Sequence, residues 1–189
     1  MIIAITGCIG SGKSYIANII QNEFGYDTFS SDIIANNAYF DETIKNRLND
    51  VFDCIVDGKI DKGIIKSKLD ELTISKLNNI IHPYVKDQII KIKEKYIDNI
   101  AFVEVPLLFE SKMETLFDKT LVISADEALR HKRIKKRNPQ NYQNMLKLEK
   151  FQLSNEDKVK MADFVLQSSD DDNKNIQQLT EIVNLIIKK

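Results

Sequence analysis

Residues 7–14 read Gly7-Cys8-Ile9-Gly10-Ser11-Gly12-Lys13-Ser14, the pattern G-x-x-x-x-G-K-S. No other stretch limits so narrowly what this chain can fold into. Ahead of it, Ile2-Ile3-Ala4-Ile5-Thr6 is an apolar run that reads as a buried strand. Behind it, Ile16, Ile19, Ile20 and Phe24 recur at helical spacing. Strand, glycine-rich turn and helix form the context in which this pattern cradles phosphates. Glycine lets backbone N–H groups turn inward and approach phosphate oxygens that a Cβ would hold off. The following helix adds its first-turn amides and positive dipole end. Lys13 supplies a point charge for the β- and γ-phosphates, and Ser14 a hydroxyl for Mg²⁺. Gly7, Gly10, Ser11, Gly12, Lys13, Ser14 and the adjoining Tyr15 are thus the expected triphosphate-binding segment.

Strand and helix patterns alternate through the rest of the chain, which predicts an α/β fold with a parallel sheet. Tyr26–Phe29 reads as a second strand, with Ser31 or Asp32 able to cap a short helix after it. Ile44, Leu48, Val51 and Phe52 keep a helical period, and Asp57-Gly58-Lys59 is a turn signal. Residues 60–69 and 72–97 read as mostly helical. A break is expected at His82-Pro83, because proline removes a backbone donor and clashes with the preceding turn. Further strands are predicted at Ile100–Val105, Thr120–Ser124 and Phe164–Leu166. Helical stretches follow from about Asp126 to Arg137, from Tyr142 to Met161, and after the acidic Asp170-Asp171-Asp172. The result is five parallel strands flanked by helices, in a single domain of 189 residues.

Such a sheet binds ligands at the carboxyl ends of its strands. The glycine loop, Asp32, Glu104 to Leu108 and the segment after Ser124 all follow strands, so they are expected to converge on one side. Asp32 can accept a proton from an attacking hydroxyl, or can simply cap a helix. Glu104 can assist Mg²⁺ with Ser14, or can pair with a nearby cation. Arg133 and Arg137 are four apart and share one helical face. From there they can stabilise a transferring phosphoryl group, or form part of a solvated basic run with Lys132, Lys135 and Lys136. His82 reads as a pocket or turn residue, and Cys8 as a small packed side chain.

Lys plus Arg number 27 and Asp plus Glu 28, a net charge of −1. This excludes a generally basic nucleic-acid surface. Cys8 and Cys54 are too few for a disulfide framework. The chain opens on a strand rather than a signal peptide, and no apolar run approaches the ~20 residues needed to span a bilayer. A cytoplasmic protein with neither nucleic acid nor membrane as partner is expected. A guanine-reading N-K-x-D is lacking, since the nearest match is Asn173-Lys174-Asn175-Ile176.

Several stretches are more distinctive than the glycine loop. They are Ser31-Asp32-Ile33-Ile34-Ala35, Gly58-Lys59-Ile60-Asp61-Lys62, Ile80-Ile81-His82-Pro83 and above all Val105-Pro106-Leu107-Leu108-Phe109-Glu110. Gln152, Lys158 and Ala162-Asp163 close the series. In these, and in Ile5 to Ser14, the chain resembles the dephospho-CoA kinase family over nearly its whole length. The resemblance implies ATP and Mg²⁺ as cofactors and dephospho-CoA as substrate, phosphorylated at its ribose 3′-hydroxyl in the last step of CoA synthesis. It implies a P-loop kinase core (about 1–40, 98–124 and 162–189), a helical acceptor-binding insert (about 41–97) and a lid (about 125–161). Asp32 would be the base, with Lys13, Arg133 and Arg137 also catalytic. His82, Pro106, Leu107 and Leu108 would line the acceptor pocket. Cys8 stands where the family usually has glycine, Glu104 where aspartate is more usual, and Arg130 where glutamine is frequent.

Overall fold

The computed structural model describes residues 1–187, with the side chain of Glu71 left aside. The chain divides into two compact units, one of Met1–Phe29 together with the chain from Lys95 onward, the other Ser30–Glu94.

In the first unit, β1 (Ile2–Thr6) is buried at every position, as a central parallel strand covered on both faces must be. After α1 (Lys13–Phe24) and β2 (Asp27–Ser30), the chain returns to this unit beyond the second. There it forms β5 (Ala101–Glu104), β6 (Lys119–Ser124), α6 (Glu127–Arg137), α7 (Tyr142–Glu149), α8 (Asn155–Met161), β7 (Phe164–Gln167) and α9 (Asp172–Ile187). Among the described residues the sheet has five strands in the order β2-β5-β1-β6-β7. The pairings of β1 with β5 and β6, and of β6 with β7, are parallel. On one face Ile16 and Ile20 of α1 and Leu179, Ile182, Val183 and Ile186 of α9 pack with Ile3, Ile5, Phe102 and Leu121. Ile5 is in register with Glu104, so the carboxyl ends of β1 and β5 lie level.

The second unit holds α2 (Ser31–Asn37), α3 (Glu42–Phe52), the two-residue strands β3 (Ile55–Val56) and β4 (Lys59–Ile60), α4 (Lys62–Ser67) and α5 (Glu71–Lys95), the last ending one residue past the unit. The turn at Asp57-Gly58 closes an antiparallel hairpin. Both residues have positive φ, 48° and 74°, as a tight two-residue hairpin turn requires.

Three sequence expectations are corrected. Neither Ser31 nor Asp32 caps α2; the cap is Ser30, whose Oγ accepts from Ile33 N. The break at His82-Pro83 does not occur, for α5 runs through Pro83 without interruption. Proline already holds a helical φ and forfeits a single i→i−4 bond; the turns around it bury Ile80, Ile81, Val85 and Ile89. The helical stretch from Tyr142 to Met161 is two helices. It is divided because Ser154 Oγ accepts from Asp157 N and starts α8 afresh.

Candidate active site

The phosphate loop leaves β1 through Gly7, whose φ is 148°, and a Cβ there would lie 2.3 Å from Ile123 O on β6. Only glycine permits the loop to pass so close to the neighbouring strand. α1 begins on Gly12 in the left-handed conformation, with no side-chain cap. Its first-turn amides are therefore presented to an anion rather than consumed by a cap. Lys13 is buried, and its Nζ donates to Gly7 O at 3.0 Å and to Cys8 O at 3.2 Å. One residue on, Ser14 Oγ donates to Glu104 Oε1 at 2.8 Å. The level ends of β1 and β5 explain this meeting. Side by side, Ser14 and Glu104 offer hard oxygens, the donor chemistry of Mg²⁺ held by a few protein groups and by nucleotide phosphates.

α6 supplies the opposite wall of an open cleft. Gly12, Lys13, Ser14 and Tyr15 line one side, and Arg133 and Arg137 the other. Arg133 is firmly placed: Nη1 donates to Ser11 O at 3.2 Å and Ser168 Oγ at 3.0 Å, and Nη2 to Ser169 O at 2.7 Å. Asp170 accepts from both Lys132 and Arg133, and these hydrogen bonds and charges hold its carboxyl below the usual range. Arg137, Lys135 and Lys136 are exposed. Tyr15 OH donates to Asp172 Oδ1 at 2.5 Å, at the start of α9; this bond pushes the phenol pKa up.

One residue of the α6 face escaped assignment from sequence. Arg130, only 6% exposed, pairs with Glu149 of α7 and donates through Nη1 to Ile9 O at 3.3 Å. The signal was there in the spacing, since Arg130, Arg133 and Arg137 fall at i, i+3 and i+7 on a helix.

The remaining candidates are distributed as follows. Asp32 is exposed in the first turn of α2, and His82 is half-buried on α5, both in the second unit. Burial, with Lys86 adding to it, lowers the His82 pKa. Pro106 is half-buried and Leu107 is 47% exposed, but Leu108 is fully buried. Leu108 therefore supports the turn after β5 from within, and the surface there is Leu107.

The dephospho-CoA kinase family model matches residues 1–174. The chain belongs to the dephospho-CoA kinase family. Members of this kinase family carry out the last step of CoA biosynthesis, the ATP-dependent phosphorylation of dephospho-CoA. A dephospho-CoA kinase of Fusobacterium nucleatum is 35% identical over 184 residues, covering 95% of this chain and 93% of that one. A crystal structure of a Thermus thermophilus protein has a TM-score of 0.85 at 28% identity, covering 98% and 96%. The dephospho-CoA kinase from Campylobacter jejuni has a TM-score of 0.65 at 26% identity, over the same shares of the two chains.

Within the first unit, several of the residues that carried the family resemblance make defined contacts. Glu110, from the turn after β5, forms an ion pair with Lys158 of α8. Gln152 accepts the N–H of Ile9 in the phosphate loop. Asp163 accepts from Thr120 N and Oγ1, both at 2.9 Å, and pairs with Lys119. Cys8, in place of the family's usual glycine, fits because its side chain is buried and its Sγ lies 3.7 Å from Leu153 O. Burial pushes the Cys8 thiol pKa up, against the lowering effect of Arg130, Lys158 and Lys13. No described helix is long and apolar enough to cross a membrane.

Proposed function

We propose that this chain transfers the γ-phosphoryl group of ATP to the ribose 3′-hydroxyl of dephospho-CoA, giving CoA and ADP in the cytoplasm. The family match across residues 1–174 carries the reading, because it spans the phosphate loop, Asp32 and the α6 arginines together. The loop amides and Lys13 hold the phosphates, and Arg133 and Arg137 face the charge that develops on the moving group. Mg²⁺, held by Ser14 and Glu104, would supply further neutralisation of the phosphates. Asp32 takes the proton as the 3′-oxygen bonds to the γ-phosphorus and the bond to ADP breaks. Residues 41–97 bind the acceptor, with His82, Pro106 and Leu107 contributing to its pocket, and residues 125–161 act as a lid.

The Asp32 role is tested by Asp32→Asn, which keeps shape and hydrogen-bonding but cannot take the proton. Its kcat is expected to fall about 100-fold or more, within the range general-base catalysis contributes. Turnover near the wild-type rate would remove Asp32 from the chemistry.

A further inference from the structure

Ile9 lies between Gly7 and Gly10 of the phosphate loop, and both polar groups of its backbone are taken by side chains from beyond β6. Its N–H donates to Gln152 Oε1 at 2.9 Å, and its C=O accepts from Arg130 Nη1 at 3.3 Å. The two residues share a neighbour in Glu149. Arg130 is ion-paired with Glu149, and Gln152 N donates to Glu149 O at 2.9 Å. Beside them, Leu153 N donates to Glu110 Oε1 at 2.8 Å.

The Ile9 N–H belongs to the Cys8–Ile9 peptide plane, and the Ile9 C=O to the Ile9–Gly10 plane, which also carries the Gly10 N–H. Peptide planes are rigid, so fixing one polar group orients the other. Gly10 is in the left-handed region, with φ of 80°, and glycine flanks of this kind leave the plane orientations poorly determined by the loop itself. Within the loop, Cys8 O accepts from Ser11 N at 3.1 Å and from Lys13 Nζ at 3.2 Å. Lys13 is the group that nucleotide phosphates would draw away. The Cys8–Ile9 plane is then held at its C=O edge by Ser11 N and at its N–H edge by Gln152.

We propose that Gln152 is a positioning residue for phosphoryl transfer. It sets the Ile9 peptide, together with Arg130, and through it the direction of the loop amides that receive the phosphates. It touches neither nucleotide nor acceptor. The proposal rests on the kinase reading above, and it makes the chain after α7 a direct support of the phosphate loop.

Two variants and one rescue test it. Gln152→Leu removes the acceptor at nearly constant size, and Gln152→Asn keeps an amide that is too short to reach. Both are expected to lower kcat about ten- to a hundredfold, the cost of small misplacements at a reacting centre, while KM for dephospho-CoA stays within about twofold. Gln152→Glu, which keeps an accepting oxygen at the same reach, is expected to recover kcat to within about threefold of wild type. Residue-resolved hydrogen exchange should show the Ile9 amide exchanging about fivefold faster in both defective variants. Wild-type kcat in Gln152→Leu, or equal losses in Gln152→Leu and Gln152→Glu, would overturn the proposal. Should the wild type itself not phosphorylate dephospho-CoA, the acceptor reading fails alone. The Ile9 exchange rate then decides: acceleration in the variants supports the positioning role, and an unchanged rate overturns it.

Discussion

Lys158 has no exposed surface, and its ammonium lies 2.7 Å from a Glu110 carboxylate oxygen. The ammonium also donates to Pro106 O at 3.3 Å, so one lysine on α8 holds both ends of the turn that follows β5. Removing either charge leaves the other buried without its counter-ion, which is costly. Lys158→Met and Glu110→Gln are each expected to lower unfolding free energy by about 3 kcal/mol. The double variant Lys158→Met with Glu110→Gln should lose less than the sum of the two single losses. Urea unfolding of the four proteins checks this, and strict additivity would show that the pair is not coupled.

Gly7→Ala places a Cβ 2.3 Å from Ile123 O in a backbone conformation that side chains rarely adopt. Either β6 or the loop must shift. Loss of about 2 kcal/mol or more of stability is expected, together with weakened ATP binding by calorimetry. Unchanged affinity and melting temperature would mean that the loop does not hold this path in solution.

Lys13→Ala removes the cation that bridges Gly7 O and Cys8 O. Turnover should drop about 100- to 1,000-fold, the range seen when one preorganised charge-stabilising donor is lost. Circular dichroism should remain that of the wild type. An active Lys13→Ala protein would contradict the phosphate-binding assignment.

Glu149 links stability to pH. Burial acts to raise its carboxyl pKa, but the hydrogen bonds and charges of Arg130 and His131 outweigh it, and the pKa lies below the ordinary 4.5. A depressed carboxylate contributes stability that is fully present above its unfolded value and is lost as pH falls through the folded one. Glu149→Gln should therefore melt below the wild type at neutral pH, and the gap should narrow once pH drops below about 4.5. Thermal melts across that range measure it; a gap independent of pH would deny the ion pair.

Much of this fold was legible in the sequence because its signals are local. The apolar run Ile2–Thr6, the glycine spacing at 7–14 and the helical period of Ile16, Ile19 and Ile20 each announce an element within a dozen residues. What was not legible depends on distant partners. That Gln152 would meet Ile9, or Lys158 Glu110, carries no periodicity and follows only once β1, β5 and β6 are laid side by side. The continuity of α5 through Pro83 is of the same kind, since packing at Ile80, Ile81, Val85 and Ile89 outweighs a local breaker. The cap of α2 is Ser30 rather than Ser31 or Asp32, because all three are competent caps and local sequence does not choose among them. That the phosphate loop would lie beside Glu104, Arg133 and Arg137 was readable from motif and spacing. Leu108 was expected to line the acceptor pocket, and its full burial follows from packing that no local signal announces.

The most direct test offers the purified protein ATP and Mg²⁺ with dephospho-CoA, adenosine, AMP or shikimate in parallel, and follows ADP release. Dephospho-CoA is expected to be preferred over the other three, with the new phosphate on its ribose 3′-oxygen. Faster turnover of any of the other three, or phosphorylation of dephospho-CoA elsewhere, would contradict the assigned reaction.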